Sequence, residues 1–85
     1  MKITEESLLH LGFEKEEGEG YYYYTLHIGT EEYDSQNLCL ITSANDEVKD
    51  DSWNVCIFEF REIMFTKLEQ LKQLIELLKK NLITK

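Results

Sequence analysis

The segment Thr66–Leu82, TKLEQLKQLIELLKKNL, constrains the fold of this chain more than any other stretch. Its apolar residues recur at spacings of three and four: Leu68, Leu71, Ile75, Leu78 and Leu82. This spacing places them on one face of an α-helix. Thr66 followed by Glu69 predicts a capping box at the start of that helix. The rest of the chain must therefore supply an apolar surface on which this helix packs.

The apolar stripe of this helix is wide, because Leu74 and Leu77 extend it well beyond a narrow seam. Two interpretations follow. The helix lies deep in a groove against a sheet and a second helix, or the Leu74/Leu77 side meets another molecule. Self-association through Leu74 and Leu77 is therefore one alternative that the sequence leaves open.

A second, short helix is predicted near the start of the chain, over Glu5–Leu11. Thr4 is a suitable N-cap, and acidic residues in the first turn favour the positive end of the helix dipole. Gly12 occupies the position where a glycine commonly ends a helix in the left-handed conformation. Phe13 would then contact Leu8, as in a Schellman ending.

The region between the helices predicts four β-strands, from their apolar alternation and the turn residues around them. The predicted strands are Phe13–Glu17, Tyr21–Ile28, Leu38–Thr42 and Trp53–Phe60, with Arg61–Phe65 as a turn or a short edge strand. Residues 1–85 are thus predicted to form a single small α+β domain of order α-β-β-β-β-α. We expect an antiparallel meander sheet with both helices on one face.

One face of this sheet would be left without a helix. Alternation along the second strand places Tyr22, Tyr24, Leu26 and Ile28 on one face and Tyr21, Tyr23 and His27 on the other. The aromatic, polar-tipped second set is typical of interfaces. The third strand would add either Cys39 and Ile41 or Leu38 and Leu40 to that open face. We expect it to bind a partner, or to form a homodimer interface.

The net charge of −8 is spread unevenly. Residues 29–52 hold seven acids and one base, whereas residues 53–85 hold four acids and six bases. A surface this acidic does not bind the nucleic-acid backbone directly, since that requires a basic surface. It favours a basic protein surface as partner instead.

The spacing of the histidines, cysteines and acidic residues does not match a known catalytic or metal-binding motif. The histidines and cysteines, His10, His27, Cys39 and Cys56, have none of the spacings that place two zinc ligands on one turn. The loop starting at Asp46 fails the EF-hand pattern because its sixth residue is Asp51. A Cys39–His27 pair would require the two side chains to meet across adjacent strands. We therefore predict free, buried thiols, no metal, no cofactor and no enzymatic activity.

The sequence also favours a cytoplasmic location. Glu5 and Glu6 stand where a secretion signal would need an apolar run, and no stretch has the roughly 18 apolar residues of a membrane span.

In length, acidity, absence of proline and order of elements, the chain resembles small uncharacterised proteins of phages and other mobile elements. It is similar in general character to anti-CRISPR proteins. That resemblance implies a non-enzymatic inhibitor that binds a bacterial nucleic-acid-handling defence effector, such as an RNA-guided one, whose basic channel normally holds nucleic acid.

The residues predicted to bind such a partner share exposure and either negative charge or an aromatic ring. The carboxylates are Glu31, Glu32, Asp34, Asp46, Glu47, Asp50 and Asp51, and the aromatic anchors are Tyr21, Tyr23, Tyr33 and Trp53. The alternative function is a self-associating structural module that uses the open sheet face or the C-terminal helix.

Overall fold

The computed structural model describes residues 1–28, 38–58 and 60–81. Their elements, in chain order, are α1 (Glu5–His10), β1 (Glu14–Glu17), β2 (Tyr22–Ile28), β3 (Leu38–Thr42), a 3₁₀ turn (Asn45–Glu47), β4 (Val55–Ile57), β5 (Phe60–Phe65) and α2 (Leu68–Lys80). The strands form one antiparallel sheet in the order β1-β2-β3-β4-β5. The predicted α+β class and meander topology are confirmed, with five strands in place of four.

The extra strand comes from a reversal within the predicted strand Trp53–Phe60. The chain turns back between Ile57 and Phe60, which pair with each other, and β5 then returns along β4 as the edge of the sheet. The prediction of one continuous strand here is wrong. The sequence at this reversal contains no Gly, Pro, Asn or Asp, the residues that usually mark a turn.

Helix α1 begins and ends as its sequence predicts. The Thr4 Oγ1 accepts a hydrogen bond from the Ser7 amide at 3.2 Å, and the Ser7 Oγ accepts one from the Thr4 amide at 2.8 Å. Gly12 has φ = 99°. The Phe13 amide donates to the Leu8 carbonyl at 3.0 Å. These bonds form the predicted Schellman ending, and both Leu8 and Phe13 are buried.

Helix α2 is capped differently from its prediction, and the Thr66–Glu69 capping box is wrong. The N-cap residue is Lys67, whose side chain makes no capping bond. The Leu68 amide donates instead to the Met1 carbonyl at 2.9 Å. The Glu69 carboxylate accepts from the Met1 amino group, and this bond lowers the pKa of Glu69. Met1, which is distant in sequence, thus makes the hydrogen bonds at the start of α2 that the local pattern predicted for Thr66.

One hydrophobic core lies between the sheet and the two helices. Its buried members are Ile3, Leu8, Phe13, Tyr24, Leu26, Ile28, Leu40, Trp53, Val55, Leu68, Leu71 and Ile75. The N-terminal segment joins this core because Ile3 bridges to Trp53, whose amide donates to the Ile3 carbonyl at 2.8 Å. The predicted core face of β2 is therefore confirmed, and so is the leucine face of α2 from Leu68 to Leu78, whereas Leu82 lies outside the described residues.

A tight turn between Lys49 and Ser52 precedes β4. These two residues form a β-bridge, and the Ser52 amide donates to the Lys49 carbonyl at 3.0 Å. Asp50 and Asp51 both have positive φ, 55° and 56°. Positive φ at both central positions is typical of a type I′ turn, whose second central position favours glycine. Asp51 therefore holds a conformation that its Cβ disfavours.

We expect Asp51→Gly to raise the free energy of unfolding by about 0.5–1 kcal/mol, because glycine adopts positive φ without steric cost. The measurement is the urea unfolding midpoint. Asp51→Asn is the matched control, since it removes the same charge but keeps the Cβ. If Asp51→Asn stabilised the protein as much as Asp51→Gly, the gain would come from charge, and the backbone explanation would be wrong.

Candidate functional site

The candidate site is the face of the sheet opposite the helices, which we call the open face. Directly opposed residues share a face, and the register pairs His27 with Cys39 and Ile41 with Cys56. The register therefore places Cys39 and Ile41 on the open face, and not Leu38 and Leu40. Met64 of β5 pairs with Cys56 and lies on the same face.

A groove of about 620 Å³ runs across this open face. Its wall residues come from β2 to β5 and the loop after β3: Tyr23, Ile41, Thr42, Ser43, Ala44, Glu47, Asn54, Cys56, Phe58, Arg61 and Met64. Phe58 and Met64 are about half exposed, at 50% and 53%. Sequence analysis missed Phe58, Arg61 and Met64 as site residues, because it placed the end of β4 incorrectly.

Two of the predicted aromatic anchors stack beside this groove. The rings of Tyr21 and Tyr23 lie 6.2 Å apart, centroid to centroid, with 18° between their planes. The Tyr21 ring also covers Gly18 so closely that a Cβ at residue 18 would lie 2.3 Å from it. Glycine at this hairpin therefore allows Tyr21 to take its place in the stack. Tyr23 lines the groove, as predicted for a binding face.

The predicted carboxylates fall into two separate turns. Asp46 and Glu47 lie in the 3₁₀ turn, and Glu47 lines the groove. Asp50 and Asp51 lie in the type I′ turn, where the Lys2 Nζ donates to the Asp50 carbonyl at 2.7 Å. All four residues are exposed. Glu31, Glu32, Tyr33 and Asp34 lie outside the described residues.

None of the four described carboxylates, Asp46, Glu47, Asp50 and Asp51, forms an ion pair with a described residue, although Glu47 Oε1 accepts a hydrogen bond from the Ala44 amide at 3.3 Å. Within residues 1–28, 38–58 and 60–81, the only ion pair at 4 Å or less joins the Met1 amino group to Glu69. Asp46 and Glu47 are exposed, and Glu47 lines a groove whose wall combines the apolar side chains of Phe58 and Met64 with polar ones and with Arg61. Such an arrangement favours a partner that combines an apolar contact with positive charge.

Trp53 does not belong to the binding surface. Its side chain is 2% exposed, and its ring packs against Tyr24 with the centroids 5.3 Å apart. Trp53 was predicted to be one of the aromatic anchors for the partner. Burial in the core corrects that assignment.

Glu5 makes two bonds that sequence analysis did not predict. The Tyr24 hydroxyl donates to Glu5 Oε2 at 2.7 Å, and the Tyr22 hydroxyl donates to Oε1 at 3.1 Å. Burial and these bonds to Glu5 raise the pKa of both tyrosines. The Lys15 Nζ lies 4.1 Å from the Tyr22 ring centroid on the same side of the sheet. The arrangement fixes α1 to the sheet, and only the first-turn position of Glu5 hinted at a special role.

Cys39 and His27 do meet across β2 and β3, which was the geometric condition for a nucleophilic pair. Burial and the nearby Glu16 carboxylate raise the pKa of the Cys39 thiol, however. A thiol held in its protonated form is a poor nucleophile. Cys39 and Cys56 are free and half-buried, not fully buried as predicted. In the described part of the chain, no three His, Cys, Asp or Glu side chains come together as a metal site.

The two leucines proposed for self-association differ in exposure. Leu77 is 59% exposed. Leu74 is half-buried and packs against the core. The Leu74 part of the wide apolar stripe therefore belongs mainly to the fold, and Leu77 is the residue available to another molecule.

Comparison with family models, with curated proteins and with solved structures returns no match for this chain. Among the described residues, no helix is long and apolar enough to cross a membrane.

Proposed function

We propose that this chain is a non-enzymatic protein-binding module that docks its open face against a basic protein surface. The observation that supports this most is the 620 Å³ groove, where exposed Phe58 and Met64 lie beside the carboxylate of Glu47. Exposed apolar side chains supply contact area, and the unpaired carboxylate supplies charge for orientation. Tyr21 and Tyr23 add a rigid aromatic edge to the same surface.

The net charge supports a narrower version of this proposal. A chain of 85 residues with a charge of −8 is attracted to the basic channels in which proteins hold nucleic acid. We propose that it acts in the cytoplasm as an inhibitor that competes with nucleic acid for such a channel. A bacterial RNA-guided effector is the partner that this chemistry and the resemblance to phage-borne inhibitors favour.

The test uses purified RNA-guided nucleases and measures their binding to labelled target DNA at increasing concentrations of this protein. We expect the protein to block DNA binding by at least one of them. The double variant Asp46→Lys/Glu47→Lys should weaken that inhibition by at least about tenfold, because it reverses the charge beside the groove.

Glu6→Lys/Glu76→Lys is the matched control, since it changes the net charge equally at exposed positions on the helices. We expect this control to weaken inhibition by less than about threefold, through long-range electrostatics alone. Equal loss in the two double variants, or no inhibition of any effector, would contradict the proposal.

A further inference from the structure

The two edges of the sheet differ sharply in character. The edge strand β1 is EKEE, three acids and one base. The opposite edge strand, β5, is FREIMF, and Phe60, Ile63 and Met64 are 54%, 45% and 53% exposed. Natural sheets usually protect an edge with charge, as β1 does, because a free apolar edge recruits another strand. Among the described residues, no strand pairs with the outer side of β5.

The backbone of β5 also presents hydrogen-bonding groups outward at a definable position. The Asn54 carbonyl accepts from the Ser43 amide, so Asn54 directs its backbone groups toward β3. The backbone N–H and C=O groups of successive residues in an antiparallel strand point to alternate sides. Those of Val55 therefore point toward its partner Phe65 in β5. The backbone N–H and C=O groups of Phe65 point toward β4 in return. The amide and carbonyl of the preceding residue, Met64, consequently face away from the sheet.

Helix α2 presents an apolar flank on the same side of the molecule. Lys72 and Leu68 line a groove with residues of α1, so this flank of α2 faces α1. At about 100° per residue, Leu74 and Leu77 lie on the flank turned away from α1. Helix α1 lies over β2, to which Glu5 bonds, and α2 contacts β5. The Leu74/Leu77 flank is therefore the one on the β5 side.

The charge distribution identifies which occupant this side accepts. Residues 60–81 hold three acids and five bases, although the whole chain carries −8. Glu69 lies away from Leu74 by the same helical spacing, but Glu76 lines a shallow surface pocket together with Leu77 and Lys80. A strongly basic partner therefore finds no net negative charge on this segment, although Glu62 and Glu76 are exposed there. Two copies that meet through these residues bring together the least acidic segment of each chain, and β1, at the opposite edge of the sheet, is kept apart.

We infer that two copies of this chain pair through β5, edge to edge and antiparallel, with the Leu77 flanks of the two α2 helices side by side. The twofold axis is perpendicular to the sheet and joins the two five-stranded sheets into one. Both open faces then lie on the same side of the dimer. The dimer presents two binding surfaces in one plane, which raises the avidity for a repeated or extended partner.

The test measures the dimer dissociation constant of the full chain by sedimentation over a micromolar concentration series. Met64→Pro removes the outward amide, and proline is tolerated at an edge position whose N–H faces solvent. Met64→Ala is its matched control, because it also loses the side chain but keeps the amide. We expect Met64→Pro to weaken the dimer at least about tenfold more than Met64→Ala does.

A second pair of variants tests the helix flank without touching the strand. Leu77→Glu should weaken the dimer at least about tenfold, whereas Lys72→Gln, which makes the same change in net charge on the flank facing α1, should leave it within about twofold. Circular dichroism checks that each variant is folded. A wild-type monomer throughout the series, or equal dissociation constants for Met64→Pro and Met64→Ala, would overturn the inference. Asp46→Lys/Glu47→Lys should not change dimerisation, so the two proposals fail separately.

Discussion

Replacing Leu8 by alanine is expected to lower the free energy of unfolding by about 2–5 kcal/mol. Leu8 is 0% exposed and lies in the core between α1 and the sheet. Truncation removes its apolar contacts and leaves a cavity that a short helix, tied at both ends by its caps, closes poorly. Small domains have a total stability of only about 5–15 kcal/mol. The loss should therefore lower Tm by more than about 10 °C.

The adjacent residue provides the control. Leu9 lies in the same helix but is 56% exposed, and Leu9→Ala should change the free energy of unfolding by no more than about 0.5 kcal/mol. Urea unfolding followed by circular dichroism measures both variants. Similar losses for Leu8→Ala and Leu9→Ala would mean that α1 does not pack as described here.

Local patterns predicted the parts of the fold that local physics determines. The spacing of leucines along α2 and the Thr4 and Gly12 ends of α1 depend on residues within a few positions of one another. The cap of α2 could not be predicted in this way. Its amide bonds to Met1, which is distant in sequence, and only the folded chain brings the two together.

The reversal between β4 and β5 illustrates the same limit. No Gly, Pro, Asn or Asp marks it, and the pairing of Ile57 with Phe60 is seen only in the folded sheet. Missing this reversal hid Phe58 and Met64, which contribute much of the groove wall. The sequence allowed Arg61–Phe65 to be a turn or a short edge strand, and the structure has the edge strand, which begins one residue earlier at Phe60.

The candidate site was predictable where alternation alone decides exposure. Tyr21 and Tyr23 were predicted on the open face, and both lie there. Trp53 was not predictable, because an aromatic residue at the start of a strand is equally suited to core and surface. Its burial depends on Ile3, which pairs with it from the other end of the chain.

The molecule carries an acidic surface and an exposed apolar surface that meet in the groove of the open face. The acidic residues cluster on β1 and the turns around residues 46–51, and the apolar exposure clusters on β5 and α2. One surface favours a basic partner by electrostatics, and the other favours a second copy by strand pairing and apolar burial. The two proposals share Met64, whose side chain lines the groove of the open face and whose amide faces the outer edge of β5, and they otherwise rest on different residues.

Glu5→Ala is expected to lower the free energy of unfolding by about 1–3 kcal/mol more than Glu6→Ala. Both residues lie in the first turn of α1 and interact similarly with the helix dipole, but only Glu5 accepts the Tyr22 and Tyr24 hydroxyls. Without Glu5, the hydroxyl of the buried Tyr24 loses its partner. Glu5→Gln, which keeps one acceptor oxygen, should fall between the two alanine variants. Urea unfolding near neutral pH measures the series.

The pH dependence distinguishes this bond from simple packing. Because the pKa of Tyr22 and Tyr24 is raised in the folded state, their contribution to stability is complete below the ordinary tyrosine pKa of 10.0. Above that pH the unfolded chain loses phenolic protons that the folded chain retains, so stability falls as pH rises. We expect a smaller alkaline fall in Glu5→Ala and earlier phenolate absorbance for these tyrosines. Equal stability of Glu5→Ala and Glu6→Ala, with unchanged phenolate titration, would show that Glu5 does not hold α1 to the sheet.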